Sequence, residues 1–219
     1  MRVCLASTSP ARLALLRQSG IEPICVSPDV DEDAVAAAEA ERLGRPLAPE
    51  EVVLLLGRAK AAEVAGRIHE QDPGFAGIVI GGDSMFEVDG AVHGKPHEPA
   101  RAIARWHAMR GRTGVLHSGH SVILVRPDAP AEEVHAVAEA AVTFAADVDD
   151  AEIEAYVATG EPLLVAGAFT VDSLGGAFIE RVEGDPSTVV GMSLSTLRRL
   201  AGRLGIRWTD LWNAVPGAS

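Results

Sequence analysis

The sequence predicts an α/β fold of two lobes. Short apolar runs alternate along the chain with helix-like stretches, beginning with residues 2–6 and 11–19. The first strand runs into the first helix through a tight turn of three hydroxyl residues, Ser7-Thr8-Ser9. At 219 residues the chain is long enough for one sizeable core and carries no linker rich enough to separate domains, so residues 1–219 read as a single domain.

Each element follows from local chemistry. Residues 2–6 read as a short buried strand, and residues 11–19 as a helix with Leu13, Leu15 and Leu16 on its apolar side. Ser9 suits the N-cap, Pro10 the first helical position and Gly20 the stop. Free N–H groups and the helix dipole point at that turn, and Arg12 adds a forked donor, so the stretch suits an anion; an ordinary capped turn is the alternative. A second strand is expected over 21–26, then an acidic run from Asp29 to Asp33 that is either a solvated loop or a source of one metal-binding carboxylate. Residues 34–43 read as a helix, and Pro49-Glu50-Glu51 opens another whose expected buried stripe is Val52, Leu55, Leu56 and Ala59. On that reading Arg58 and Lys60 lie elsewhere around the helix and reach solvent or a cleft.

Residues 77–84 are the next informative stretch. Three apolar residues form a buried strand, and Gly81-Gly82 let backbone or ligand approach where the strand is expected to end. Asp83 then stands at a carboxyl strand end, where open α/β sheets bind ligands. A hairpin over 85–92 turns at Asp89-Gly90 and delivers Gly94-Lys95-Pro96, which would return Lys95 towards Asp83. Residues 99–110 read as a helix with Trp106 and Met109 in the core, 115–125 and 134–146 as strands, and 149–158 as a helix stopped by Gly160. Residues 178–182 read as a strand and 193–204 as a last helix, its end covered by Trp208 and Trp212, with a frayed tail from Asn213.

Composition excludes several classes. The net charge of −12 argues against general nucleic-acid binding, so an anionic substrate must meet a local basic cluster. Lys60 and Lys95 are the only lysines in an arginine-biased chain, which suggests places where a compact ammonium is wanted. Cys4 and Cys25 form no framework and suit a reducing cytoplasm. No signal-peptide pattern and no run near ~18 apolar residues is seen, so neither secretion nor a membrane is expected. The histidines lack zinc spacing: His117 and His120, three apart on a strand, point to opposite faces. A Ser or Cys nucleophile lacks support, because Cys4 lies inside a strand and Ser84 has no placed His–Asp pair.

Four stretches, in order and at family-like spacing, resemble the Maf family: Ser7-Thr8-Ser9-Pro10-Ala11-Arg12, Arg58-Ala59-Lys60-Ala61, Gly81-Gly82-Asp83-Ser84 and Gly94-Lys95-Pro96. Gly175-Gly176 through Val189-Val190-Gly191 also fits. The resemblance implies a fold like that of the inosine-triphosphate pyrophosphatases, with a mixed central sheet flanked by helices and two lobes about a central cleft. It implies a cytoplasmic, homodimeric hydrolase that cuts a nucleoside triphosphate into monophosphate and pyrophosphate. Ser7, Ser9, Arg12, Arg58, Lys60 and Lys95 would hold phosphates, and Asp83 would be the general base. Glu32 aligns with the family's acidic residue, so Glu32 and Asp83 would bind Mg²⁺ or Mn²⁺. Ser84 and Asp172 are the candidates for selecting the base. The chain departs from the family at Ala11, Ala59, Gly114, Val165 and Asp172. Because the family is linked to inhibition of septum formation, a nucleotide-sensing regulator with little turnover, acting through a protein partner, is the alternative.

Overall fold

The computed structural model describes residues 1–213. Its elements are β1 (Arg2–Ala6), α1 (Pro10–Gln18), β2 (Ile24–Val26), α2 (Glu32–Leu43), α3 (Pro49–Gln71), β3 (Gly77–Val88), β4 (Ala91–His93), α4 (Pro99–Met109), β5 (Thr113–Arg126), β6 (Ala129–Phe144), α5 (Asp150–Ala158), β7 (Ile179–Gly184), α6 (Pro186–Val190) and α7 (Leu194–Arg203). The strands are ordered β2-β1-β3-β5-β6-β7, with β4 also on β3. Parallel pairing of β1 with β2 and β3, and antiparallel pairing of β3 with β4 and β6 with β7, make the sheet mixed, as expected. No helix among the described residues is long and apolar enough to cross a membrane.

The chain divides into two compact units: Met1–Asp83, Ser118–Ala138 and the stretch from Gly191 form one, Ser84–His117 and Glu139–Val190 the other. β3, β5 and β6 each run from one unit into the other.

In the first unit, Cys4, Ala6, Val79, Ile123 and Val125 of the strands pack against Ala61, Val64 and Ala65 of α3, with Phe75 closing the cluster. α3 comes very close to the sheet. An added Cβ at Gly81 would meet the Gly57 carbonyl and stand 2.7 Å from the Ala61 nitrogen, and one at Gly119 would strike the backbone of Val53 and Leu54. This contact corrects two expectations. β3 does not end at Gly81-Gly82 but continues to Val88, so Asp83 lies in mid-strand; the glycines admit a helix rather than stop a strand. The buried face of α3 is Val53, Leu56, Gly57, Lys60, Ala61, Val64 and Ala65; of the expected stripe only Leu56 lies on it, while Val52, Leu55 and Ala59 are half-buried. Lys60 is on the inside.

Other differences are smaller. β2 has three residues rather than six, and α2 begins at Glu32 because Asp31 caps it, accepting from Ala34 N at 3.0 Å. The short helix α6 was not anticipated. Leu211, fully buried, takes the place expected of Trp212, which is exposed, while Trp208 is half-buried. Asn213 is held, not frayed: it donates from its backbone N–H to Gly20 O at 3.0 Å and accepts from Glu22 N at 2.7 Å; the rest of the expected frayed tail lies outside the described residues.

The second unit packs around aromatic rings. Phe86, Trp106, Phe144, Tyr156 and Phe169 meet edge to face at centroid separations of 5.0–6.0 Å. Trp106 and Met109 are buried as expected, and Trp106 Nε1 donates to Ala168 O at 2.8 Å. The Asp89-Gly90 hairpin forms with positive φ at both residues, 51° and 76°.

The glycine-lined contact makes a direct prediction. Gly81→Ala and Gly119→Ala should each lower stability by about 1–3 kcal/mol, because a methyl must displace helix backbone rather than a flexible side chain. Gly66→Ala, on the same helix with nothing within 4 Å of its Cβ position, should not. Urea unfolding of the three variants checks this; equal midpoints would show that α3 can retreat from the sheet at no cost.

Candidate functional site

The site is built around Lys60. Its ammonium lies 2.7 Å from Asp83 Oδ1 and 2.8 Å from Glu32 Oε1. Lys60 is 7% exposed. The Asp83 side chain is 14% exposed and that of Glu32 50%, so the ion pair with Asp83 is shielded and that with Glu32 open to solvent. Each partner comes from a different element. Lys60 projects from the face of α3 that the glycine contact turns inward, Asp83 from mid-β3, and Glu32 from the first turn of α2, where the helix dipole favours a carboxylate.

Arg12 joins this group from α1. It is buried, donates from Nε to Gly191 O at 2.9 Å and has Nη1 3.4 Å from Ser7 Oγ. A Cβ at Gly82 would stand 3.8 Å from Arg12 Nε, so the residue before Asp83 is bare where the guanidinium passes. Burial pushes the Arg12 guanidinium down from its usual value, while the charges of Asp83 and Glu32 oppose that. The hydroxyl turn has internal work as well: Ser7 Oγ accepts from Ser9 N at 3.1 Å, and Ser9 caps α1 as expected.

Ser7, Ser9, Arg12, Lys60, Glu32 and Asp83 therefore belong to one neighbourhood of the first unit. Arg58 does not join them. Two residues from Lys60 and about 200° round the helix, it forms a fork with Glu133, Nε to Oε1 and Nη2 to Oε2 both at 2.9 Å. Ser84 follows Asp83 in β3, so its side chain leaves the opposite face of the strand.

Lys95 and Asp172 lie in the second unit, and both are exposed. Lys95 follows β4 in a loop that Arg105 of α4 ties down by donating to Gly94 O. Asp172 lies in a loop whose neighbours Thr170, Ser173 and Gly175 all donate to the carboxylate of Glu161. Those bonds hold the Glu161 carboxyl down at about 2 although burial pushes the other way. The same unit explains one departure from the family: a Cβ at Gly114 would overlap the Phe86 ring, so the aromatic core excludes a side chain there.

Sequence reading missed several supports. Ser118 Oγ lies 3.4 Å from Asp83 O and 3.3 Å from Gly191 O, and His120 Nε2 accepts from Ser193 N at 2.8 Å. The signal was present as Ser118-Gly119-His120-Ser121, a polar run inside an otherwise apolar strand whose polar members are all fully buried. His117 was set aside as a zinc ligand, and it lies instead between two carboxylates, 3.0 Å from Glu139 Oε1 and 3.1 Å from Glu87 Oε2. Among the described residues no group of three or more His, Cys, Asp or Glu is arranged to hold a metal.

The family profile described as Maf-like protein matches residues 2–204. A protein of Leifsonia xyli subsp. xyli named nucleoside triphosphate pyrophosphatase is 63% identical over 214 residues, 97% of this chain and 97% of its own. Proteins of the same name from Rhodococcus jostii and Salinispora tropica are 50% and 51% identical, covering 95% and 97% of this chain and 94% and 88% of theirs. Among solved structures, the Staphylococcus aureus Ham1 protein aligns over 67% of this chain and 73% of its own at 11% identity, with a TM-score of 0.32.

Two variants separate the roles of the ion pairs. Lys60→Ala leaves two carboxylates facing each other without their shared ammonium and should cost about 2–4 kcal/mol. Asp83→Asn leaves Lys60 paired with Glu32 and should cost about 1 kcal/mol or less. Urea midpoints in that order are expected; a larger loss for Asp83→Asn would make Asp83 the structural anchor of the cluster.

Proposed function

The chain belongs to the Maf-like protein family, and on that premise we propose that it is a nucleoside triphosphate pyrophosphatase, a hydrolase of acid anhydrides that releases a nucleoside monophosphate and pyrophosphate. The observation that carries this reading is the buried Lys60 held between Asp83 and Glu32, with Arg12 alongside. An acidic molecule has little reason to bury two cations beside two carboxylates unless the group is set for a polyanion. The names of its relatives support the same activity.

In the reaction a water oxygen bonds to the α-phosphorus, the bond from that phosphorus to the bridging oxygen of the β-phosphate breaks, and the water proton passes to Asp83. Lys60 takes one oxygen of Asp83 by a charge-assisted bond and orients the carboxylate, so that its other oxygen accepts the proton. Arg12 and the N–H groups at the start of α1 receive phosphate oxygens, and Ser7 and Ser9 shape that turn. Lys95 keeps the role the resemblance gives it, neutralising the leaving pyrophosphate, and Asp172 that of selecting the base. As a pure acceptor, Asp172 favours a base that offers donors, such as guanine through N1–H and its amino group. Arg58 would have to leave Glu133 to touch phosphate, so we assign it the weaker part.

The donor set suits a divalent ion. Asp83 and Glu32 already bring hard carboxylate oxygens to one cation, and Mg²⁺ is commonly bound by one or two carboxylates together with substrate phosphates. Glu32 and Asp83 would hold Mg²⁺ or Mn²⁺, which would supply neutralisation of charge on the polyphosphate. The reading includes a homodimer working in the cytoplasm, which the resemblance and the two free cysteines support.

Asp83→Asn tests the proposal. It keeps the shape and removes the base, so kcat should fall by about 10²–10⁴-fold. Phosphate release, coupled to added inorganic pyrophosphatase, measures it. A variant that keeps more than about a tenth of the wild-type kcat would move the base elsewhere, with Glu32 first. Wild-type protein that binds triphosphates without turning them over would favour the regulator instead.

Arg12→Ala should raise KM and lower kcat/KM by about tenfold or more, the worth of a charge-assisted phosphate contact. Steady-state kinetics on the folded variant measure this, and unchanged constants would remove Arg12 from the phosphate site.

A further inference from the structure

Glu161 lies outside every role assigned above, yet five hydrogen bonds converge on its carboxylate. Oε1 accepts from Tyr156 OH at 3.0 Å, from Thr170 Oγ1 and from Gly175 N at 3.1 Å. Oε2 accepts from Ser173 Oγ at 2.7 Å, with Leu174 N longer at 3.4 Å. Tyr156 comes from α5; the other four donors come from one loop, residues 170–175, and Asp172 lies between two of them.

The loop is built to close on this carboxylate. A Cβ at Gly175 would stand 2.5 Å from Tyr156 Oη and 2.7 Å from Thr170 O, and one at Gly176 would stand 2.8 Å from Val171 O. The paired glycines are thus required for the loop to fold back on itself. The outcome is a loop with a fixed inner side, where Gly175 is buried, and an outer side where Asp172, Ser173 and Leu174 are exposed.

We propose that Glu161 is a positioning residue for nucleobase selection: it gathers the loop of residues 170–175 onto one carboxylate and so fixes where Asp172 presents its oxygens. The inference rests on the reading of Asp172 as the base-selecting residue. A single exposed carboxylate on a free loop discriminates poorly, because hydrogen bonds to a base edge are directional and a displacement near an ångström forfeits them. Five donors on one acceptor-only group remove that freedom. Glutamine has the same shape but turns an NH₂ towards one set of those donors, N–H against N–H or O–H, and so releases that side of the loop. The depressed carboxyl keeps Glu161 ionised, and able to accept from all five, throughout the neutral range.

The experiment measures kcat and KM of the full-length enzyme separately for GTP, UTP, dTTP and 7-methylguanosine triphosphate. It uses wild type, Glu161→Gln, Asp172→Asn and the double variant. If Glu161 acts through Asp172, Glu161→Gln compresses the ranking of kcat/KM across bases by about tenfold, mainly through KM for the favoured base. Its effect on ranking then vanishes in the Asp172→Asn background. A ranking that shifts with Asp172→Asn but not with Glu161→Gln overturns the role of Glu161 and leaves Asp172 as the selector. If neither variant moves the ranking, the reading of Asp172 falls, and the inference with it. A uniform loss on all four substrates, persisting in the double variant, marks Glu161 as support for the fold alone and overturns the proposal. Should Glu161→Gln fail to fold, Ser173→Ala removes one donor beside Asp172, leaves the Tyr156 and Gly175 bonds in place, and is judged by the same criteria.

Discussion

The close seating of α3 on β3 and β5 is the constraint on which the first unit depends. Gly57, Gly81 and Gly119 leave no side chain between helix and sheet, so the helix backbone lies almost on the strand backbone. That contact fixes the rotation of α3. With Gly57 turned to the sheet, Lys60 and Ala61 must follow one turn later on the same side. Lys60 is thereby carried into the interior at the level of Asp83, two residues beyond Gly81. The ion pair is a consequence of the packing: the seating of Gly57 against the sheet turns Lys60 to the same inner face as Ala61, where Asp83 meets it.

A buried lysine is expensive unless its charge is answered. Asp83 answers it from within the sheet and Glu32 from the first turn of α2, where the dipole already favours a carboxylate. Arg12 adds a second buried cation to the same group. One half-buried and one half-exposed carboxylate, with two buried cations, leave the neighbourhood near neutrality inside a molecule of net charge −12. Neutrality against an acidic background lets a polyanion approach, and the exposed side of Glu32 leaves the group open to solvent.

Much of this was legible in the sequence. The capped turn at Ser9-Pro10, the Asp89-Gly90 hairpin and the buried Trp106 follow from local chemistry, and the grouping of Arg12, Lys60, Glu32 and Asp83 is what the family resemblance implies. What was not legible has a common cause. The stripe on α3 was misread because the inner face includes a glycine and a lysine, Gly57 and Lys60, which apolar residues alone do not mark, so the face was placed to one side of its true position. The end of β3 was misread because Gly81-Gly82 punctuate a strand in sequence, whereas here Gly81 makes room for the backbone of Gly57 and Ala61 on α3. Arg58 and Lys60 looked equivalent in one motif, yet 200° of helix sends one to Glu133 and the other to Asp83.

The second unit shows the same logic with different residues. Gly114 gives way to the Phe86 ring, and Gly175 to Tyr156 and Thr170; in both places a missing side chain lets a larger neighbour settle. The first case accounts for a departure from the family motif, since the ring fills the space beside the backbone that a side chain would need. The second ties an exposed acidic loop to a core tyrosine through one carboxylate, so that aromatic packing around Trp106 and Tyr156 and the placement of Asp172 are coupled through Glu161. Burial raises the Tyr156 hydroxyl, which keeps it protonated and donating to Glu161. Core packing thus extends to a polar loop through donors and one acceptor whose charge states do not change across the neutral range.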